Sequence, residues 1–258
     1  MKINLPVGTG VYETIAIVGR RPAFLALHLE RLDRGAALLG IPKARERVEA
    51  LVLAKLDGCS EEALAMRVDA PGHGIPGATV RPRRAIPEGS IGIALPAKPG
   101  PARSSVDAIK HTARASKVTA RNEAVAGGAF EALIADPKGA IVEGTITNVF
   151  ARIGDVLVTP GDDLFPLPGI ARRIVLEEAA RAGVKVELRG LAADELAGAR
   201  EVFLTNAAIG VLAVDALLMP GGRRIELPAA RELTPLLADL RGKREEEDLR
   251  SAPSAPPS

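Results

Sequence analysis

Ile141-Val142-Glu143-Gly144-Thr145-Ile146-Thr147-Asn148-Val149-Phe150 is the stretch on which the reading of this chain turns. Two apolar strands flank a tight Glu-Gly-Thr turn, so Glu143 stands at a strand end with Asn148 just behind it. Upstream, Lys110 closes the apolar run Ala108-Ile109 and opens a helical stretch expected from Thr112 to Ala126. A buried amine and a buried carboxylate, each on a rigid strand end, are the pair that a pyridoxal phosphate (PLP) site requires. The amine forms a Schiff base with the aldehyde, and the carboxylate keeps the pyridine nitrogen protonated so that the ring accepts electrons. A phosphate cup has to come from elsewhere in the chain.

At 258 residues the chain has room for one large domain or two smaller ones, each with its own core. Its 34 basic and 32 acidic residues leave a formal charge of +2 with no basic block. Five Phe, one Tyr and no Trp offer little for stacking on bases, which argues against a nucleic-acid partner. A single cysteine, Cys59, excludes an internal disulfide and points to a reducing compartment. Met-Lys-Ile-Asn-Leu-Pro lacks the apolar core of a signal peptide, and no run of about eighteen apolar residues is present to span a membrane. The expectation is a cytoplasmic protein with no membrane partner.

Gly10 to Val18 reads as a strand that Gly19-Arg20-Arg21-Pro22 turns into a hairpin. From Ala26 to Leu39, the residues Leu29, Leu32, Ala36 and Leu39 share one helical face; Gly40 stops the helix and Pro42 prevents its resumption. A second amphipathic helix is expected over 44–56, followed by short strands at 63–70, 78–81 and 91–95. Strands enclosing two helices, without a βα rhythm, suggest α+β architecture. The Pro-rich passage Pro96 to Ser105 is the expected linker (98–105), separating an N-terminal α+β domain (1–97) from a C-terminal α/β domain (106–241). In the latter, strands are expected near 131–135, 140–142, 147–152, 155–158, 184–188, 202–205 and 211–217, with helices over 170–182, 193–197 and 229–240. From Gly242 the composition turns to Lys-Arg-Glu-Glu-Glu-Asp and then Ser-Ala-Pro, so 242–258 is expected to be disordered.

Nine lysines stand against twenty-five arginines, so the search for a Schiff-base amine is short. Lys2 and Lys243 are terminal, Lys43 and Lys55 edge a surface helix, and Lys138 sits in a turn. Lys98 is in the linker, Lys117 mid-helix, and Lys185 on a strand among polar neighbours. Only Lys110 lies where an apolar strand meets a helix, although a lysine taken singly is more often solvent-facing. Glu143, taken singly, is more often an exposed turn carboxylate. Pro168-Gly169-Ile170 opens a helix whose free N–H groups and dipole suit an anion, though such junctions are common. Thr205-Asn206-Ala207-Ala208 ends a strand and offers further N–H donors, though strand-end Thr-Asn turns are common too. Arg31 offers the phosphate a counter-charge, although a helical arginine is more often solvated. For Lys98 and Arg103, solvation is favoured over a hold on a substrate carboxylate. His28, His73 and His111 show no metal-ligand spacing, and neither Gly-x-Ser-x-Gly nor a Walker loop occurs.

Taken in order, several stretches resemble the class IV aminotransferases. They are Gly8-Thr9-Gly10-Val11-Tyr12-Glu13-Thr14-Ile15, His28-Leu29-Glu30-Arg31-Leu32, Lys110-His111 and Glu131-Ala132-Leu133. They continue through Glu143-Gly144-Thr145-x-Thr147-Asn148-Val149-Phe150, Thr159-Pro160, Leu167-Pro168-Gly169-Ile170 and Phe203-Leu204-Thr205-Asn206. The family comprises fold-type IV PLP enzymes, among them branched-chain and D-amino-acid aminotransferases and 4-amino-4-deoxychorismate lyase. The resemblance implies a two-domain, D-amino-acid aminotransferase-like PLP fold of mixed α+β and α/β character, and pyridoxal 5'-phosphate as cofactor. It makes Lys110 the Schiff-base lysine and Glu143 the ring-nitrogen partner, with Asn148 beside it. It makes Arg31 a phosphate ligand, with further N–H donors from Gly169, Ile170 and Ala171 and from the Asn206-Ala207 turn. Tyr12 and Thr147 would line the pocket for a small amino substrate. A homodimer is implied as well, with the active site between the domains and near the subunit interface.

The departures bear on the reaction. Ala171 and Ala207 stand where aminotransferases of the family often keep threonines that bind phosphate; each lost hydrogen bond to a charged group costs roughly 1.5–3 kcal/mol if unreplaced. Ala113 replaces a frequent asparagine. Lys110-His111-x-x-Arg114 and Asn206-Ala207 look more like the deoxychorismate lyases. That places elimination of pyruvate to give 4-aminobenzoate, a step of folate biosynthesis, ahead of transamination of branched-chain or D-amino acids with 2-oxoglutarate. A catalytically weak PLP-binding scaffold is the third reading, motivated by the missing hydroxyls.

Overall fold

The structure, a computed structural model, describes residues 5–6, 8–42, 44–60, 62–83 and 85–253. The expectations for Lys2, Lys43, the first four residues and 254–258 lie outside the described residues. Two compact units result: the first takes Met1–Ala85, Ile109–Arg114 and Gly242–Ser258, the second Ile86–Ala108 and Ala115–Arg241.

In the first unit, β1 (Val11–Val18), β2 (Arg21–Pro22), α1 (Leu25–Leu39), α2 (Ala44–Leu56), β3 (Leu64–Ala70) and β4 (Gly77–Pro82) follow in sequence. The strands form one antiparallel sheet, ordered β2-β1-β3-β4. Alternation along β1 and β3 sends Val11, Ile15, Ile17, Met66 and Val68 to the face covered by the helices, where Leu29, Leu32, Val48, Val52 and Leu56 complete the core. Glu13 has the same parity as Val11 and Ile15, so a carboxylate is carried into that core and requires partners there. Tyr12 has the opposite parity and sits across from Asp69.

Residues 109–114 belong to this unit and are not the strand-then-helix expected from the sequence. Tyr12 donates its N–H to the carbonyl of Lys110 (2.9 Å), and Thr112 donates to that of Gly10 (2.9 Å). Pairing with the start of β1 keeps the segment extended, and the helix begins only at Ala115.

The second unit comprises β5 (Gly92–Ala94), α3 (Ala115–Ala126), β6 (Glu131–Ala135), β7 (Ile141–Gly144), β8 (Asn148–Ile153), β9 (Val156–Thr159) and α4 (Ile170–Arg181). It continues with β10 (Val186–Leu188), α5 (Ala193–Ala197), β11 (Glu201–Asn206), β12 (Gly210–Ala213), β13 (Ala216–Leu218) and β14 (Arg224–Glu226). Helix α6 (Leu233–Ser251) follows. One sheet runs β10-β9-β8-β11-β12, the other β14-β13-β5-β6-β7. Because β5 pairs in parallel with both β6 and β13, the chain enters this unit at Ile86 and not after the Pro-rich passage at 98–105. The single strand expected at 211–217 is two strands in different sheets. They are separated at Asp215, whose carboxylate accepts the N–H of Ile91 (2.6 Å). Phe150 and Phe203 stack at 4.8 Å beneath α4, in a cluster that also takes Val175, Leu233 and Leu237.

The tail is the other correction. Helix α6 continues through the charged run to Ser251, although 242–258 reads as disordered. Its start is held by Glu201, buried on β11, which accepts the N–H groups of Glu232 (3.1 Å), Leu233 (2.9 Å) and Thr234 (2.7 Å). Its end has partners as well: Asp248 accepts the N–H of Phe24 at the start of α1 (2.6 Å), and Arg21 donates to the carbonyl of Leu249 (2.8 Å).

Candidate active site

In the first unit, the candidate residues gather on β1, α1 and the segment beside them. Lys110 Nζ lies 4.9 Å from the centroid of the Tyr12 ring. Arg67 sits over that ring at 4.0 Å, and Arg114 approaches it to 5.6 Å while donating to the Tyr12 hydroxyl. Asp69, bonded to Arg67, is a carboxylate in this group. On the opposite face of β1, Glu13 accepts from Arg31 through Nε (2.8 Å) and Nη2 (2.6 Å) and lies 2.8 Å from Nδ1 of His28. Arg31 is 6% exposed, so the solvated alternative does not hold. Burial alone would raise the Glu13 carboxyl, but Arg31 and His28 outweigh it and hold it far below the usual carboxylate range. Burial pushes His28 down, as do Arg31 and Lys110, against the pull of Glu13. A neutral His28 therefore donates Nδ1–H to an ionised Glu13.

In the second unit, Glu143 is the penultimate residue of β7 and is 2% exposed. Its Oε1 accepts from Arg103 Nη2 and from Lys117 Nζ (2.9 Å), and its Oε2 from the N–H of Leu167 (3.0 Å). Arg103 also donates to the carbonyls of Leu164 (3.2 Å) and Phe165 (2.8 Å), the latter a left-handed residue at φ 53°. Arg103 is thus buried and engaged where the sequence favoured solvation, while Lys98 is exposed as expected. The turn after Glu143 is organised by Glu131, which is fully buried. It accepts from the hydroxyls of Thr145 and Thr147 (3.0 Å), from the N–H groups of Ala132 (2.9 Å) and Ile146 (3.1 Å), and from Arg121 (3.1 Å). Thr147, expected in the substrate pocket, gives its hydroxyl to this turn. Gly144 is needed here, because a Cβ would stand 2.1 Å from Thr147 Oγ1.

The expected anion cup lies at the start of α4. Gly169 is its N-cap and makes no side-chain capping bond, and Ile170 and Ala171 follow it, both buried. Asn148 donates Nδ2 to the carbonyl of Leu167 (2.9 Å), and a Cβ on Gly169 would stand 2.0 Å from its Oδ1, so only glycine lets the loop close this tightly. Asn206 Oδ1 accepts the N–H groups of Ala208 (2.8 Å) and Ile209 (2.9 Å), and its Nδ2 donates to the carbonyl of Ile146 (3.3 Å). That side chain shapes the turn at Ala207 and ties it to the loop behind Glu143.

A family model described as amino-transferase class IV matches residues 10–217. The chain belongs to the class IV aminotransferase family. A probable branched-chain-amino-acid aminotransferase of Thermotoga maritima is 30% identical over 213 residues, covering 80% of this chain and 77% of the relative. An aminodeoxychorismate lyase of Bacillus subtilis is 26% identical over 239 residues, covering 80% of this chain and 76% of the relative. The crystal structure of a 4-amino-4-deoxychorismate lyase from Pseudomonas aeruginosa superposes with a TM-score of 0.76 at 26% identity, covering 93% of this chain and 94% of that one. The fold is therefore that of the class IV aminotransferases, and the chain is a PLP-dependent enzyme. The residues present fit PLP: a helix start with no capping side chain, a glycine cradle beside it, and a buried carboxylate at the end of a strand in the same unit. Among the described residues, no helix is long and apolar enough to cross a membrane.

Four residues have engagements that the sequence did not reveal. Glu13, Glu131, Arg103 and Lys117 all pair in the interior or at its edge. A legible signal existed for the two glutamates, since each occupies a position where strand alternation calls for an apolar side chain. None existed for Arg103, which lies in a passage without periodicity.

Proposed function

We propose that the chain is a 4-amino-4-deoxychorismate lyase, with Lys110 as the Schiff-base lysine and Glu143 as the ring-nitrogen partner. The observation that carries this reading is the group of cations around Tyr12: Arg67, Lys110 and Arg114, with Asp69 against them. Branched-chain amino acids and D-alanine carry one carboxylate beside an apolar side chain. Aminodeoxychorismate carries two, and a pocket with two arginines beside Tyr12 suits it better.

PLP supplies an electron-accepting ring joined to the substrate nitrogen. The chain's residues do the remainder. Glu143 orients the ring nitrogen. Arg31, the N–H groups from Gly169 to Ala171 and the Asn206-Ala207 turn receive the phosphate, while Asn148 keeps the Leu167–Gly169 loop in place. Lys110 takes the proton from the substrate carbon that bears the amine. The enolpyruvyl oxygen leaves with its bonding pair, receives a proton and departs as pyruvate, and the ring becomes 4-aminobenzoate. No water or redox partner is needed. Tyr12 faces the substrate, with Arg67 and Arg114 as carboxylate donors. The enzyme is read as a cytoplasmic homodimer.

Identity to the Thermotoga maritima relative favours transamination as the second reading. Supplying aminodeoxychorismate, and separately branched-chain amino acids or D-alanine with 2-oxoglutarate, divides the two. Release of 4-aminobenzoate and pyruvate in equal amounts is expected. Keto-acid formation without 4-aminobenzoate would replace the lyase reading with the transaminase.

A further inference from the structure

Glu143 is shared between two cations, and that changes what it offers to a ring nitrogen. A carboxylate has about four acceptor positions. Oε1 takes Arg103 and Lys117, and Oε2 takes the N–H of Leu167. A position on Oε2 is thus what is left for a further donor. The charges that face this carboxylate come from three elements. Arg103 lies in the passage after β5, Lys117 on α3, and Arg172 on α4 acts on Glu143 through space. Arg172 is partnered by Asp162 (3.5 Å), and on β6 Glu131 is paired with Arg121 (3.1 Å). With those pairs set aside, one negative charge on Glu143 meets two positive charges.

A carboxylate alone favours a protonated pyridine nitrogen, because it attracts the pyridinium charge. A net positive neighbourhood opposes that charge, and a like charge within about 4–6 Å is of a size to move a titration by about one to three pH units. We propose that Arg103 and Lys117 act through Glu143 as positioning residues that leave the ring nitrogen of the bound cofactor less firmly protonated than Glu143 alone would. The proposal rests on the reading of Glu143 as the ring-nitrogen partner. It deepens the lyase assignment. A weakly protonated ring accepts electrons less readily, which suits a reaction driven by aromatisation of its substrate more than one that stores electrons on the cofactor.

The test is a pH titration of the holoenzyme loaded with PLP labelled with nitrogen-15 in the ring, followed by its chemical shift. Lys117→Met should raise the midpoint of ring-nitrogen deprotonation by about one pH unit or more. Lys117→Arg should restore the wild-type curve. Lys117 is 23% exposed and reaches Glu143 from the first turn of a helix, so its replacement leaves the core intact. Coincident curves for wild type and Lys117→Met, or a ring nitrogen protonated throughout in both, would overturn the proposal. Glu143→Gln separates the two levels. If its curve also matches wild type, Glu143 is not the ring-nitrogen partner and the underlying reading fails. If it shifts while Lys117→Met does not, only the role of the cations is wrong.

Discussion

Glu13 shows what a single misplaced-looking residue implies. A carboxylate in core-facing register on β1 is stable only because Arg31 and His28 close around it. The alternation that buries it was readable in the sequence; its partners on α1 were not, because helix–strand register is decided by packing. Both groups make the first unit sensitive to acid. Below its ordinary value of 6.5, His28 takes up its proton in the unfolded chain before the folded one. Below 4.5, Glu13 does the same. For each, the contribution to stability is present above its ordinary value and lost as pH falls. Denaturant unfolding should therefore show stability declining as pH falls from 6.5, more steeply below 4.5, and His28→Gln should remove the slope in the upper part of that window. An unchanged slope in that variant would mean His28 does not titrate with folding.

Among the elements, α1, α2, β6 and α5 fall within a residue of where the sequence puts them, and α1 and α2 each bury one stripe. The failures have a common cause. Residues 109–114 and the charged end of α6 take their conformation from partners distant in sequence, β1 in one case and α1 in the other, and local composition carries no trace of those. The start of α4 was legible through Pro168-Gly169, and two changes probe it. Gly169→Ala forces a Cβ against Asn148 and should weaken PLP binding at least about tenfold, on the order of 1.4 kcal/mol, in an absorbance titration. Ala207→Thr adds a hydroxyl at the Asn206-Ala207 turn and should strengthen binding by about 0.5–1.5 kcal/mol in the same titration. No gain would place the phosphate away from that turn.

At the scale of the molecule, the sequence carried the family and the presence of two units, but put the division at the proline-rich passage. β5 is too short to declare its sheet, and its partners β6 and β13 come later in the chain. Each unit carries its own share of the candidate residues. Lys110 and Tyr12 were legible as motif residues, whereas Arg103 and Lys117 became visible only through their contacts with Glu143. Loading with PLP should raise the midpoint of thermal unfolding, because the cofactor binds the folded chain alone.

The most direct measurement of the central claim is borohydride reduction of the PLP-loaded protein, followed by mass mapping of its peptides. The account expects the reduced cofactor to be attached to the peptide that carries Lys110, and Lys110→Ala to abolish the adduct. Attachment at Lys117 or any other lysine, or no adduct at all, would contradict it.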